Sequence, residues 1–346
     1  MRAAVLRAFG GPEGIVLESW PDPSPGADEV LIRVRAVSVN RTDVYAMTRT
    51  NIGRAIELPH VGGVDPAGEI AVLGDDVGDR SIGQRVVARP MIPCRSCRFC
   101  AADRESMCER PSYIGIHRPG GFAELVALPA RAVYPIPDGV SWEVATAMAH
   151  SVPIAIHLLR TVGSVGSADI VLIVGAAGGL GIACTQVAKV LGARVIAAVA
   201  ADEKASAALA AGADAAVVYE PIETFPQRVR TASGAQGPTV LVENVGDAAL
   251  WEPLVASLDR GGRILSCGSH AGGRVSLDLN LFYRQQLRLL STAGTSDAEF
   301  RDALAFVADG RVRPVVHRVY PLAEIRDAFR ALLDRANVGK VVVRVA

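Results

Sequence analysis

The glycine-rich stretch GAAGGLG, residues 175–181, constrains the fold more than any other part of this chain. It follows the apolar run IVLIVG, which has the length of a buried strand, and it opens LGIACTQVAKVLG, which has helical periodicity. Glycines allow a tight turn and let an anion approach the N–H groups at the start of the helix. A turn without a ligand is the alternative, but the flanking strand and helix favour binding of a dinucleotide pyrophosphate.

Strands and helices continue to alternate after this turn. Further apolar runs occur at 194–200, 215–218, 239–243 and 262–268, and sequences of helical composition separate them. Strand–helix–strand units of this length predict an α/β fold with a doubly wound parallel sheet of the Rossmann type.

Residues 1–130 have a different sequence pattern, which predicts short strands separated by turns rich in glycine and proline. In VLIRVRAVSV, residues 30–39, apolar residues alternate with Arg33 and Arg35. Clusters such as PDPSPGAD and GDDVGDRSIGQR mark tight turns. We expect an antiparallel, barrel-like domain, and a chain of 346 residues is long enough for two domains.

The tail of the chain predicts helix, strand, helix and strand, which departs from the doubly wound pattern. One helical face is apolar because it carries Leu322, Ile325, Phe329 and Leu332.

The end of the second strand bears on the choice of cofactor. NAD sites usually place an acid there to bind the ribose hydroxyls, whereas here the sequence reads AAVAADEK, with Val199 and Ala200 at the strand end. Without that acid, Lys204 could bind a 2′-phosphate, and Tyr219 could stack on the adenine. NADPH is therefore favoured and NADH remains possible, although a single lysine is more often a solvated helix residue.

Four of the six cysteines lie within fifteen residues, at Cys94, Cys97, Cys100 and Cys108. Four thiolates can form a closed tetrahedral zinc site with no open position, so we expect one structural zinc per chain. Four reduced cysteines without a metal are the alternative. Cys184 and Cys267 are expected to pack in the interior.

Net charge and hydropathy exclude several classes of partner. The formal net charge is zero and the pI is near 7, which argues against nucleic acid as a partner. The sequence also lacks a signal peptide and an uninterrupted apolar span, so we expect no membrane association and a cytoplasmic location.

These features together resemble the medium-chain dehydrogenase/reductase superfamily over nearly the whole chain. The cysteine spacing, GAAGGLG and the closing GKVVVRV carry the likeness, and NRTDVY, GGVDPAG, HRPGGFAE and GTSDAEF are most similar to its quinone oxidoreductase branch. The resemblance implies a GroES-like catalytic domain at 1–149 with the cysteine lobe at 94–108, a Rossmann domain at 150–289, and a return segment at 290–346. It also implies a homodimer.

The resemblance further implies which positions would hold a catalytic zinc. In zinc alcohol dehydrogenases of the family, one zinc ligand is the cysteine that begins a Cys-Arg-Thr-Asp motif. Here the corresponding residues are NRTD, so Asn40 stands in the position of that cysteine. Val64 stands where a histidine ligand would be, Asp65 stands where its neighbouring glutamate would be, and His150 lies near the third position. Valine cannot bind zinc and a carboxamide is a poor ligand. A surrogate site from His60, Asp65 and His150 is the alternative.

Because two of the three catalytic zinc ligands are missing, we expect a reductase that works without a catalytic metal. Without a metal to polarise the substrate, quinones and α,β-unsaturated carbonyls accept hydride most easily, because they spread the developing negative charge themselves. An alcohol or aldehyde dehydrogenase with altered ligands and a non-enzymatic NADPH-binding protein are the alternatives.

The resemblance implies four candidate catalytic residues. Asn40 could hydrogen-bond the substrate oxygen or the nicotinamide amide, and Thr42, Tyr45 and His150 could transfer a proton. The alternative interpretation is that residues 40–45 form a turn whose side chains cap a helix. The expected cofactor contacts are Arg41, Gly175, Gly178, Gly179, Leu180, Gly181, Lys204, Tyr219, Val245 and Gly268.

Overall fold

The computed structural model describes residues 1–345, which form two compact units. Unit 1 consists of Met1–His150, Phe300–Gly310 and the chain from Pro314 onward, and unit 2 consists of Ser151–Glu299 and Arg311–Arg313. Each unit has its own cluster of buried apolar side chains.

Short strands dominate the first part of unit 1. They are β1 (Arg2–Leu6), β2 (Ile15–Ser19), β3 (Glu29–Val39), β4 (His60–Val61), β5 (Ala67–Leu73), β6 (Arg85–Ala88), β7 (Met91–Ile92), β8 (Ser112–Tyr113), β9 (Leu125–Pro129) and β10 (Val133–Pro135). Two α-helices interrupt them, α1 (Arg41–Thr48) and α2 (Arg98–Ala101).

The long strand β3 organises this β-rich unit, as its alternating sequence predicted. Ile32, Val34 and Ala36 are buried on one face, whereas Arg33 is exposed. The strand pairs antiparallel with β5 and β9, and it belongs to a seven-stranded sheet.

Unit 2 contains the alternating half of the chain. The helix α3 (Trp142–Ile156) leads into it and continues as a π-helix at His157–Val162. The elements that follow are β11 (Ile170–Val174), α4 (Gly179–Val190), β12 (Arg194–Val199), α5 (Asp202–Ala210), β13 (Ala215–Val218), α6 (Phe225–Ser233), β14 (Val240–Glu243), α7 (Ala248–Ser257), β15 (Arg263–Ser266), α8 (Leu279–Gln285) and β16 (Arg288–Ser291).

The six strands of unit 2 form one parallel sheet in the order β13-β12-β11-β14-β15-β16. The strand order reverses between β11 and β14, which is the switch point where such sheets bind ligands. The predicted doubly wound sheet is therefore confirmed. Among residues 1–345, no helix is long and apolar enough to span a bilayer.

The second crossing between the units lies later than residue 290, the boundary expected from the sequence. Residues 290–299 belong to unit 2 because β16 extends the parallel sheet as far as Ser291. The Glu299 carboxylate also accepts hydrogen bonds from His157 Nδ1 and Thr161 Oγ1, both at 2.7 Å.

The return segment forms α9 (Asp297–Ala308), β17 (Val316–Pro321), α10 (Ile325–Leu333) and β18 (Lys340–Arg344). The strand β18 pairs antiparallel with β3 and parallel with β17, which completes the seven-stranded sheet. Leu322, Ile325 and Phe329 are buried and Leu332 is half-buried, so the predicted apolar helical face packs on the core of unit 1.

Candidate functional site

A buried polar cluster lies in unit 1 where β3 ends and β18 begins. In the antiparallel register Val341 is opposite Val39, so the next residues in each direction, Lys340 and Asn40, meet at the same end of the sheet. The Lys340 ammonium donates a hydrogen bond to Asn40 Oδ1. Both residues are buried, with 7% and 5% of their surfaces exposed.

Asp65 is the carboxylate at the centre of this cluster. Its two oxygens accept hydrogen bonds from the Ser38 N–H at 2.9 Å, the Ser38 hydroxyl at 2.5 Å, Asn40 Nδ2 at 2.9 Å and the Thr146 hydroxyl at 3.1 Å. The Thr146 hydroxyl has a single proton and also lies 2.7 Å from the Asp65 main-chain carbonyl oxygen, so it is shared between these two acceptors. These contacts fix the position of the fully buried Asp65 side chain.

The side chain of Asn40 is committed to this network. Its Nδ2 donates to Asp65 and also faces the Ser38 carbonyl oxygen at 3.1 Å, while its Oδ1 accepts from Lys340. The expected contact of Asn40 with substrate or nicotinamide finds no support in this geometry, because both ends of the amide already have protein partners. The helix-capping alternative applies to Asp43, whose Oδ2 accepts the Asn40 N–H at 2.8 Å.

Thr42 and His150 lie together beside this network. Thr42 Oγ1 is 3.4 Å from His150 Nε2, and both residues are half-buried. His150 lies one helical turn after Thr146 on α3, so the same helix face supplies the imidazole and one donor to Asp65. Tyr45 lies on α1 one turn after Arg41, whose guanidinium donates to the Leu332 carbonyl oxygen at 3.0 Å.

Burial and charge perturb three titratable groups here. Burial, together with the positive charge of Lys340, lowers the pKa of His150 to about 3, so the imidazole is neutral near pH 7. Burial, together with the negative charge of Asp65, raises the pKa of Asp43 to about 7. Burial lowers the pKa of Lys340, but the Asp65 and Asp43 carboxylates oppose that shift.

The positions that correspond to catalytic zinc ligands do not form a donor set for a metal. Val64 is fully buried and apolar, and Asn40 is bonded to Lys340. The surrogate residues His60, Asp65 and His150 do not form a group of potential ligands among residues 1–345. The Asp65 oxygens accept hydrogen bonds from Ser38 and Asn40, and His60 Nε2 lies 2.9 Å from the Gly115 carbonyl oxygen. His60 instead lines a small cavity with Asp43 and apolar side chains.

The cysteine lobe does fit a metal ion. The Sγ atoms of Cys94, Cys97, Cys100 and Cys108 all lie within 4.8 Å of one another, with Cys97 and Cys100 at 3.5 Å. A tetrahedral site with Zn–S bonds of about 2.3 Å needs sulfur–sulfur distances of about 3.8 Å. Hydrogen bonds from Ser96 lower the pKa of Cys94 to about 5, which favours a thiolate. Within residues 1–345 this is the one cluster of three or more candidate metal ligands.

The glycine turn of unit 2 fits a bound pyrophosphate. Gly175 has a φ of +65°, and a Cβ on Gly181 would lie 2.3 Å from the Gly175 carbonyl oxygen. The turn therefore requires glycine at both positions, and α4 begins directly after Gly178, at Gly179. The N–H groups in the first turn, at Gly179, Leu180 and Gly181, point toward the end of the helix where an anion binds.

The end of β12 carries no acidic residue. The strand ends at Val199, no acid occupies its tip, and Asp202 and Glu203 are exposed in the first turn of α5. Lys204 is half-buried on that same turn. The Tyr219 hydroxyl accepts the Gly175 N–H at 2.9 Å and donates to the Ala198 carbonyl oxygen at 3.1 Å, so it braces the glycine turn against β12.

Val245 and Gly268 follow β14 and β15 at the carboxyl end of the same sheet. The Val245 side chain lies near Gly175, within van der Waals contact of a Cβ placed there. Sequence reasoning missed Glu243, whose buried carboxylate accepts the N–H groups of Val245 and Gly246 at 2.9 and 2.8 Å. An acidic residue at the end of the apolar run TVLVE was the available signal.

Two family models match this chain. The alcohol dehydrogenase GroES-like domain matches residues 26–138, and the zinc-binding dehydrogenase domain matches residues 179–309. The first match covers the β-rich part of unit 1, and the second lies mainly in unit 2, which contains the parallel sheet.

Two relatives are similar to this chain along almost their whole length. An acryloyl-coenzyme A reductase of Sulfurisphaera tokodaii is 27% identical, covering 99% of this chain and all of the relative. An L-threonine 3-dehydrogenase of Rhizobium etli is 32% identical, covering 95% of each chain.

Solved structures give the same result at the level of the fold. The crystal structure of an NAD-dependent alcohol dehydrogenase superposes with a TM-score of 0.93 at 34% identity, and both chains are covered completely. A mycobacterial quinone oxidoreductase superposes with a TM-score of 0.79 at 28% identity, again over both whole chains.

Proposed function

The chain belongs to the medium-chain dehydrogenase/reductase superfamily and is an NAD(P)-dependent oxidoreductase, and we propose that it reduces an α,β-unsaturated carbonyl compound or a quinone without a catalytic metal. The observation that carries this proposal is the arrangement at the lost ligand positions. Asn40 is bonded between Asp65 and Lys340, and Val64 is buried and apolar. The acryloyl-coenzyme A reductase and the quinone oxidoreductase among the similar proteins agree with it.

NADPH is the proposed cofactor, and when bound it supplies a hydride. The glycine turn binds its pyrophosphate, Arg41 adds a positive charge, and Lys204 binds the 2′-phosphate. Tyr219 keeps the turn in place through its hydroxyl, and we propose that its ring borders the adenine. The absence of an acid at the end of β12 supports NADPH, since a carboxylate there would repel the phosphate. Val245 and Gly268 are proposed to line the cofactor at the ends of β14 and β15.

Thr42 and His150 are the proposed proton-transfer pair. His150 is neutral near pH 7, so it can pass a proton from one ring nitrogen while it accepts another, but it cannot act as a stored imidazolium. The Thr42 hydroxyl, 3.4 Å from the imidazole, can donate to a substrate and be reprotonated by the ring. We propose Tyr45, one turn along α1, as a second hydroxyl at the edge of this site.

A substrate panel combined with metal analysis tests the proposal. The purified chain should contain one zinc and should oxidise NADPH with enones, quinones or enoyl thioesters. A chelator that leaves the lobe zinc in place should not change these rates. Two zinc ions per chain with chelator-sensitive alcohol oxidation would instead support the alcohol dehydrogenase alternative, which the L-threonine 3-dehydrogenase and alcohol dehydrogenase similarities favour. Tight NADPH binding with no turnover of any acceptor would support the non-enzymatic alternative.

A homodimer in the cytoplasm is proposed as well. The strand β16 lies at the edge of the parallel sheet, and Leu289 on that strand is 50% exposed. Tyr283 and Leu279 on α8 are each 68% exposed, so the edge carries an unusual amount of apolar surface. Substitution of Leu289 by arginine should convert the dimer to a monomer in light scattering. Four clustered thiols agree with a reducing compartment.

A further inference from the structure

Lys340 is a buried cation that the proposed mechanism has not used. It opens β18, and its ammonium is enclosed by residues from several elements of unit 1. The groups that act on it are Asn40 through a hydrogen bond, Asp65 and Asp43 through their negative charges, and His150, whose pKa responds to its positive charge. A buried ammonium is costly unless its charge and its N–H groups are used.

The hydrogen bonds of this ammonium are incomplete. A lysine ammonium has three N–H donors, and in the part of the chain that the structure describes the ammonium has one hydrogen-bond acceptor, Asn40 Oδ1. The Asp65 charge favours the charged form of Lys340, but the Asp65 oxygens already accept hydrogen bonds from Ser38, Asn40 and Thr146. Donor capacity is therefore left on a buried ammonium that Asn40 fixes in place and whose charge acts on His150.

We infer that Lys340 donates a hydrogen bond to the carbonyl oxygen of the hydride acceptor and stabilises the negative charge that forms there. This inference rests on the proposed function and identifies the electrophilic group of that same site. Asn40 is then a positioning residue, because its amide oxygen orients the ammonium and its amide nitrogen is fixed by Asp65. A charged donor in a site with little water is effective at stabilising an oxyanion.

The electrons and protons of this step balance with NADPH as the reductant. A new C–H bond forms at the carbon β to the carbonyl group, and the π electrons of the C=C bond move to give an enolate. The enolate oxygen accepts the hydrogen bond from Lys340. A proton, delivered through Thr42 and His150 from solvent, then adds to the carbon α to the carbonyl group. The C=C π electrons of the enolate form this second C–H bond, and an electron pair of the enolate oxygen restores the C=O bond. Reduced substrate and NADP⁺ are released.

Two variants distinguish hydrogen-bond donation by Lys340 to the substrate from neutralisation of the Asp65 charge. K340M should lower kcat for enone reduction on the order of 10²–10³-fold, as the loss of one oxyanion donor does, while the Kd of NADPH stays unchanged. D65N/K340M removes both charges, and Asn40 can rotate its amide to accept from the new amide at position 65. The double variant should remain as slow as K340M. K189M is the matched control, because it removes an exposed lysine that pairs with Asp214 in unit 2.

Chemical rescue and a spectroscopic probe complete the test. In K340A, n-propylammonium replaces the missing atoms and should restore part of kcat, whereas tetramethylammonium, which has charge but no N–H, should not. The wild-type complex with NADP⁺ should bind p-nitrophenol as the coloured phenolate, and the K340M complex should bind it as the phenol. The phenolate signal requires no turnover and reports directly on a cation at the oxyanion position.

Four results would overturn the inference in different ways. A raised Kd of NADPH with unchanged kcat would make Lys340 a cofactor anchor. Recovery of wild-type kcat in D65N/K340M would reduce its role to balancing Asp65. Wild-type protein that reduces no enone or quinone would overturn the proposed function and this inference together, whereas full activity of K340M would overturn this inference alone.

Discussion

Thr42 Oγ1 and His150 Nε2 lie 3.4 Å apart, and the pKa of His150 is lowered to about 3 by its surroundings. A histidine that stays neutral at physiological pH can relay protons, but its own titration cannot control the rate there. We therefore expect kcat for enone reduction to show no histidine inflection between about pH 5 and 8. The measurement is the pH dependence of kcat with saturating NADPH.

Removal of the Thr42 hydroxyl tests the same pair. T42V keeps the shape of the side chain and should lower kcat on the order of 10²-fold, since general acid–base groups contribute this much or more. T42S keeps a hydroxyl and should retain most of the activity. If T42V and T42S are equally active, protons do not pass through this residue.

Asp43 should make stability depend on pH in an unusual direction. Its pKa is raised to about 7 in the folded protein, against a usual value of 3.8. Between these values the folded state binds more protons than the unfolded state, so this group lowers the free energy of unfolding as the pH rises from about 4 to 7. The total effect is roughly a few kcal/mol at most.

The variant D43N removes this titration. It loses hydrogen-bond acceptor capacity at every pH, but its stability relative to wild type should improve as the pH rises across that window. Urea unfolding at several pH values measures the difference. D327N, which changes an exposed aspartate on α10, is the control and should show no such trend. A constant difference for D43N would contradict the expected titration.

The Rossmann half of the fold could be predicted from sequence because its signals are local. A buried strand, the turn at Gly175 and the helix that follows occupy about twenty consecutive residues, and each has its own periodicity or glycine requirement. Unit 2 extends about ten residues beyond the boundary expected near residue 290. The strand β16 is an exposed edge strand, and its sequence RLLS carries little apolar pattern.

The polar cluster of unit 1 could be predicted only in part. The motif NRTD drew attention to Asn40 and Thr42, but it could not give the direction of the Asn40 amide, which is set by a lysine 300 residues away in sequence. The available signal was Lys340 itself, a lysine at the start of the apolar strand KVVVR. A charge in such a strand is costly unless it has a partner, so its position required an explanation that the sequence alone did not supply.

The close packing of the glycine turn predicts different results for two neighbouring alanine substitutions. A Cβ at Gly181 would lie 2.3 Å from the Gly175 carbonyl oxygen, so G181A should lose about 1–3 kcal/mol of stability. A Cβ at Gly178 would lie 3.4 Å from the same oxygen, and its φ is −77°, so G178A should change stability by about 0.5 kcal/mol or less. Thermal unfolding compares them, and equal losses would contradict this explanation.

Zinc in the cysteine lobe should stabilise unit 1 without supporting catalysis. C97S should reduce the zinc content from one per chain to none. Each 1 kcal/mol by which the free energy of unfolding falls should lower Tm by about 2–4 °C. NADPH binding should persist, because the glycine turn belongs to unit 2. The control C267S changes a thiol outside the lobe and should retain the metal. Elemental analysis measures the zinc content, and calorimetry measures Tm. A C97S protein that keeps its zinc would contradict a four-cysteine site.

The end of β12 should control the choice between NADPH and NADH. A200D places a carboxylate where NAD enzymes usually have one, so it should repel the 2′-phosphate and lower the NADPH:NADH ratio of kcat/KM by about tenfold or more, equivalent to about 1.4 kcal/mol. K204M should weaken NADPH alone and leave NADH unchanged. E203Q alters an exposed acid on the same helical turn and serves as the control. The ratio is measured with one acceptor at saturation, and an unchanged ratio in both A200D and K204M would show that the 2′-phosphate is not bound at this strand end.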